Sequence, residues 1–219
     1  MEKIKISVNC LAKYMTSTPS QQRKILQGIK YKTDENRAMI NYYKEARSII
    51  REYHKCKFDN SWLLNKTRQL DLQSTLLSGQ SRIRLRRNGD IIRNYANYFK
   101  DKIFDYRSPL KLKFVVNNVN VNIFPDLNVF EKNKNKIIKL DFVKNLPDKN
   151  IAKIICQLTF EACKKENIIL PSSYFEYFDV ERGKIHRFAR SGSKLKADIE
   201  ATCLNIEAVW DSIPNPSSN

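Results

Sequence analysis

Glycine and histidine are scarce, with five and two copies in 219 residues. No GxGxxG or GxxxxGK[ST] pattern occurs, so loops that cradle phosphates with bare backbone are not expected. GxSxG is also missing, and His54 and His186 leave little from which to build a hydrolytic triad. The five cysteines, Cys10, Cys56, Cys156, Cys163 and Cys203, never fall into CxxC or Cys/His ligand spacing, which argues against zinc. Their odd number and scatter fit a reducing cytoplasm. No apolar run approaches the roughly 18 residues needed to span a bilayer, and Met1–Val8 has no apolar core of the signal-peptide kind. No membrane partner is therefore expected. Internal repeats and low-complexity segments are missing too.

Acidic residues are also few, 23 against 40 Lys and Arg, for a formal charge of +17. The imbalance is uneven: residues 1–107 carry 23 basic and 10 acidic side chains, residues 108–219 carry 17 and 13. A polyanion is the natural partner of such a chain, because each phosphate contact releases counterions. Nucleic acid is the expected partner, DNA ahead of RNA, with an acidic protein partner as the alternative. The densest cluster is Ser81–Arg93, where Arg82, Arg84, Arg86, Arg87 and Arg93 stand against Asp90 alone. Planar, bidentate guanidinium suits phosphate. Asn88-Gly89 within it reads as a turn, with Asp90 capping the helix that follows.

Apolar periodicity divides the chain into a helical, strongly basic region over 1–107, an α/β core with a C-terminal helix over 108–213, and a frayed tail over 214–219. In the first part, Ile4, Ile6 and Val8 alternate as a short strand, Ser7 caps a helix through Met15, and Pro19 opens a second helix ending near Gly28. Met39, Tyr42, Ala46, Ile49 and Tyr53 mark one face of a helix over Asn36–Tyr53, with His54 as its C-terminal cap. Trp62–Leu77 reads as a helix without a clean face. Strands are expected at Leu110–Asn117, Val119–Phe124, Leu127–Glu131 and Lys136–Phe142, the second and third being separate or one strand bent at Pro125. A helix capped by Asp148 runs to Glu166, two short strands follow at Ser173–Val180 and Ile185–Phe188, and a helix over Lys194–Ile213 closes the chain. The class is α+β: a helical basic part followed by a small mixed or antiparallel sheet flanked by helices.

The order strand, strand, strand, helix, strand, strand from Lys111 onward, with Pro125-Asp126 and then Asp141 on the next strand, resembles the PD-(D/E)XK nuclease superfamily, particularly its RecB-like branch. The resemblance covers about Ser108–Arg190. It implies that Asp126 and Asp141 hold Mg²⁺ or Mn²⁺, that a lysine polarises the attacking water, and that Gln157 belongs to a Gln-x-x-x-Tyr motif. This chain departs from the pattern: Lys144 falls one position late, Lys139 lies two residues before Asp141, and Glu161 stands where Tyr is expected. The implied function is nucleic-acid binding by a nuclease-like fold with a degenerate catalytic site, in a setting such as a mobile element or antiviral defence. An active metal-dependent nuclease is one alternative and a subunit docking an acidic protein is another. Arg82, Arg84, Arg86 and Arg87 are expected to grip the backbone, with Arg93, Arg187 and Arg190 in support.

Overall fold

The computed structural model describes residues 3–31, 42–144, 149–188 and 192–215. Its strands are β1 (Ile4–Ser7), β2 (Asp105–Tyr106), β3 (Leu112–Val116), β4 (Val119–Ile123), β5 (Leu127–Glu131), β6 (Lys134–Asp141), β7 (Phe175–Asp179) and β8 (Lys184–Arg187). Its helices are α1 (Val8–Met15), α2 (Pro19–Lys30), α3 (Lys44–Cys56), α4 (Asn60–Thr75), α5 (Gly79–Tyr98), α6 (Lys149–Lys165) and α7 (Ser193–Val209). The mixed α/β character follows the expectation, but the strands form two mixed sheets rather than one. β1-β4-β3 is one sheet and β2-β5-β6-β7-β8 the other. The chain changes sheet at Phe124-Pro125-Asp126, where proline's missing N–H and fixed φ end the β4 ladder.

Two apolar cores flank the five-stranded sheet. Alternation along β6 sends Ile137 to one and Ile138 and Leu140 to the other. The first core joins β1, α1 and Leu26 of α2 to the three-stranded sheet, α6 and α7. The second is covered by α3, α4 and α5. The change of character read at residue 108 is thus no boundary between cores. β1 pairs in parallel with β4, Ile4 opposite Val119, so the first residues of the chain complete a sheet built from its second half. Ser7 ends that strand and caps α1 as expected, its side chain accepting the Cys10 N–H at 3.2 Å. Thr18 and Gln21 form a capping box on α2, which runs past Gly28 to Lys30.

β6, α6 and β7 form a parallel crossover, and α6 is enclosed almost all round: Ile154, Ile155, Cys156, Gln157, Leu158 and Thr159 are all buried. Its burial is not confined to one stripe because α6 packs between the two sheets. Its expected cap, Asp148, lies outside the described residues, as do Met39 and residues 216–219 of the tail.

The expected turn at Asn88-Gly89 is not a turn. α5 runs unbroken through it for 20 residues. Asn88 is fully buried and donates to the carbonyls of Tyr42 (2.7 Å) and Arg84 (2.8 Å), while its Oδ1 accepts the Ala46 N–H at 2.8 Å. That amide is one of the orphan donors in the first turn of α3, whose N-cap Tyr43 offers no side-chain bond. Gly89 brings α4 close: a Cβ there would lie 3.1 Å from Asp71 Oδ1 and 3.8 Å from the Thr67 methyl. The buried face of α4 is Leu63, Thr67, Leu70 and Ser74, which a purely apolar template misses. Within α3, Ala46 and Ile50 are fully buried, with Ile49 only partly covered. His54 is not an exposed cap either: it is buried against Tyr95, whose hydroxyl lies 2.7 Å from Nε2.

Candidate nucleic-acid interface

Asp126 sits at the bend that opens β5, 1% exposed. Its N–H donates to Ile138 O and its Oδ2 accepts the Leu140 N–H, both at 2.9 Å, which locks the bend onto β6. Three cations converge on its carboxylate. Arg47 Nε reaches Oδ1 at 2.5 Å, Arg51 lies at 3.6 Å, and Lys139 Nζ reaches Oδ2 at 2.8 Å. Arg51 also donates to the Asp126 carbonyl at 2.9 Å. Burial pushes the Asp126 carboxyl up, but the charges of Lys139 and Arg47 outweigh it and hold the group below the ordinary carboxylate range.

Arg47 and Arg51 belong to a longer row. Lys44, Arg47, Arg51 and Lys55 follow spacings of 3, 4 and 4 along α3. At about 100° per residue they fall within roughly 80° of arc, over about 16 Å of helix. Lys44 and Lys55 are exposed and carry no acidic partner among the described residues. The row is therefore strongly positive, with one buried acid beneath it that orders two of its guanidinium groups. Arg47 is further positioned over the Phe142 ring, 5.4 Å from its centroid. The row was not among the residues expected from the sequence, where the apolar stripe of the same helix dominates the periodicity. The 3-4-4 spacing of basic residues is the signal that could have found it.

The other site residues scatter. Lys139 and Asp141 share a face of β6, and the parallel register sets Asp141 beside Asp179 of β7. The Asp141 carboxyl takes hydrogen bonds from the Tyr177 hydroxyl and the Val143 N–H, the latter at 3.1 Å. Burial pushes Asp141 up, those bonds pull it back, and the Asp179 charge adds to the rise. Asp179 is fully buried and paired with Arg182 at 3.1 Å. Lys144 lies beyond the end of β6, exposed, its carbonyl taken by Arg182, so strand register does not govern where it points. Gln157 is fully buried in α6, donating to Glu161 at 2.8 Å and accepting the Gly192 N–H at 3.1 Å, so it serves as a strut between α6 and the start of α7.

The arginine cluster divides. Arg87 is buried and bidentate to Glu181, at 2.6 and 3.2 Å, and also donates to Phe142 O. Arg84 pairs with Glu45 at 3.1 Å, and Arg93 with Asp71 and Asp90 at 3.0 and 2.8 Å. Only Arg82 and Arg86 face solvent without a partner among the described residues. The cause is helical continuity through Asn88-Gly89, which spreads the five arginines around α5 instead of bunching them before a turn. Arg187 is exposed and pairs with Glu176 at 3.3 Å. Arg190 lies outside the described residues.

A hard divalent cation requires several oxygen ligands free on one side. Both Asp126 oxygens are engaged by cations or by a backbone amide, so Asp126 as placed does not fit Mg²⁺ or Mn²⁺. No group of three or more His, Cys, Asp or Glu side chains suited to a metal occurs among the described residues. Among them, too, no helix is long and apolar enough to cross a membrane. Compared with family models, with curated proteins and with solved structures, the chain matches none.

Proposed function

We propose that this protein binds nucleic acid through the phosphate backbone, along the α3 ridge of Lys44, Arg47, Arg51 and Lys55 with Lys139 beside it. The observation that carries this reading is the buried Asp126 carboxylate beneath Arg47, Arg51 and Lys139. One negative charge orders three positive ones and leaves a net positive surface that is already in position. Side chains held before the ligand arrives lose less entropy on binding than free ones. Side chains three and four residues apart on a helix have Cβ atoms about 5–6 Å from one another, so the row presents its cations as neighbours along one line. Arg82 and Arg86 of α5 are free for further contacts, whereas Arg84, Arg87 and Arg93 are committed within the fold. The nuclease resemblance supplies a fold-level analogy for the nucleic-acid partner and no more.

The test is a salt titration with duplex DNA and duplex RNA of equal length. Log affinity should fall linearly with log salt concentration. Each of Lys44→Ala and Lys55→Ala should flatten the slope on duplex DNA, by about 0.9 for every phosphate that is no longer neutralised. Affinity insensitive to salt, or slopes unchanged in both variants, defeats the proposal. Cleavage dependent on Mg²⁺ or Mn²⁺ and abolished in Asp141→Asn would put an active nuclease in its place.

A further inference from the structure

Among the described residues β8 is the last strand of its sheet, and its outer edge lies beside the first two turns of α6. The Phe188 N–H donates to Phe175 O, and Arg187 stands opposite Glu176, which fixes the phase of the β7–β8 ladder. Antiparallel pairs alternate between bonded and non-bonded. Lys184, His186 and Phe188 therefore turn their backbone groups toward β7, and Ile185 and Arg187 turn theirs outward. Between this edge and α6 runs a groove of about 550 Å³. Lys149, Lys153 and Arg187 line it, with His186 and the apolar Ile185 and Phe188. Lys149 and Lys153 are exposed and have no acidic partner among the described residues. His186 Nε2 is enclosed and has no hydrogen-bond partner among the described residues.

We infer that this groove takes an extended, acidic peptide segment of a partner protein, which adds as a further strand to β8. The outward N–H and C=O groups of Ile185 and Arg187 supply the main-chain bonds. Lys149 and Lys153 supply charge complementarity on the α6 side, and Phe188 and Ile185 offer apolar contact on the two faces of the strand. A nucleic acid offers phosphates to the same cations but no alternating amide ladder to the strand edge, so the open edge favours a peptide. The unpaired N–H and C=O groups of an edge strand are a template for pairing. The unpartnered charges beside this edge, Lys149 and Lys153, are both positive, which selects the sign of the guest. The inference does not depend on the α3 ridge.

The experiment uses the full chain and fluorescent acetyl-(Glu-Val)4-amide as probe. The peptide should bind, and acetyl-(Lys-Val)4-amide should not. The pair Lys149→Ala/Lys153→Ala, both on the surface, should weaken binding about three- to tenfold. Two N-methylated probes test the strand geometry, one blocked on the Glu amides and one on the Val amides. One of them should lose binding and the other retain it, because only alternate amides face β8. Equal binding by both would reduce the association to charge alone and overturn the proposal, as would displacement of the peptide by an oligothymidylate at matched charge. Slowed amide exchange at Ile185 and Arg187 on peptide addition is the expected direct signature; no change there also overturns it.

Discussion

The His54 imidazole is held uncharged inside the second core. Burial lowers its pKa from 6.5 to about 4, and its Nε2 meets the Tyr95 hydroxyl. In the unfolded chain the ring takes up a proton near its ordinary pKa, whereas in the fold it resists until about pH 4. Stability that is present above pH 6.5 therefore declines as the pH falls toward 4, by about 3 kcal/mol in total. Chemical denaturation at stepped pH should show this decline. His54→Gln, which keeps a partner for Tyr95, should flatten the profile over that window. Asp126 acts at lower pH. Its folded pKa is depressed, so its contribution is present above the unfolded value and disappears as the pH drops through the folded one. Asp126→Asn keeps the shape but leaves Arg47, Arg51 and Lys139 without their acid. It should cost about 3 kcal/mol in urea denaturation at neutral pH, because breaking a buried pair strands the remaining charge.

Among the elements, α5 determines how the second core is assembled. Asn88 is at once an interior residue of α5 and the cap of α3, bonding to Ala46 N, Tyr42 O and Arg84 O. Replacing it by Ala leaves the buried Ala46 amide and the Tyr42 carbonyl short of a partner. The expected destabilisation is about 2–4 kcal/mol by thermal or urea unfolding, well above the cost of an exposed helix substitution. The same side chain explains why local turn statistics mislead here. Asn-Gly is a turn when nothing outside the segment competes for its polar groups. In this chain a neighbouring helix terminus does compete. Arg87, adjacent to it, shows the parallel effect on charge: a guanidinium read as free for phosphate is held by Glu181, 94 positions further along.

At the scale of the molecule, the first thirty residues and the last hundred share one core. A fragment spanning residues 108–213 lacks β1 against β4 and lacks Leu11 and Ala12 against its sheet. Expressed alone, it should give poorly dispersed amide resonances and no cooperative unfolding transition, while the full chain gives both. A fragment that folds cooperatively would restore the boundary read from composition. Net charge belongs to this scale as well. An excess of 17 positive charges favours anionic partners whatever their class. The two proposed surfaces divide them by geometry, a helical row of cations for phosphates and an open strand edge for a peptide.

Most of the elements were legible in the sequence: the strand pattern around Asn117-Asn118, the Ser7 and Pro19 helix starts, and the helices before and after the sheets. Each depends on neighbours within a few residues, on hydrophobic period, capping and turn chemistry, and these are written in order along the chain. What tertiary structure alone decided was which charges remain free. Asp126 reads as a metal ligand until α3 lays Arg47 and Arg51 across it, and the arginines of α5 read as one cluster until a continuous helix points them in different directions. An ion pair is set by distance in space, to which partners 79 or 94 residues away contribute as much as adjacent ones. No local pattern carries that distance, so which charges stay unpaired emerged only when the chain was folded.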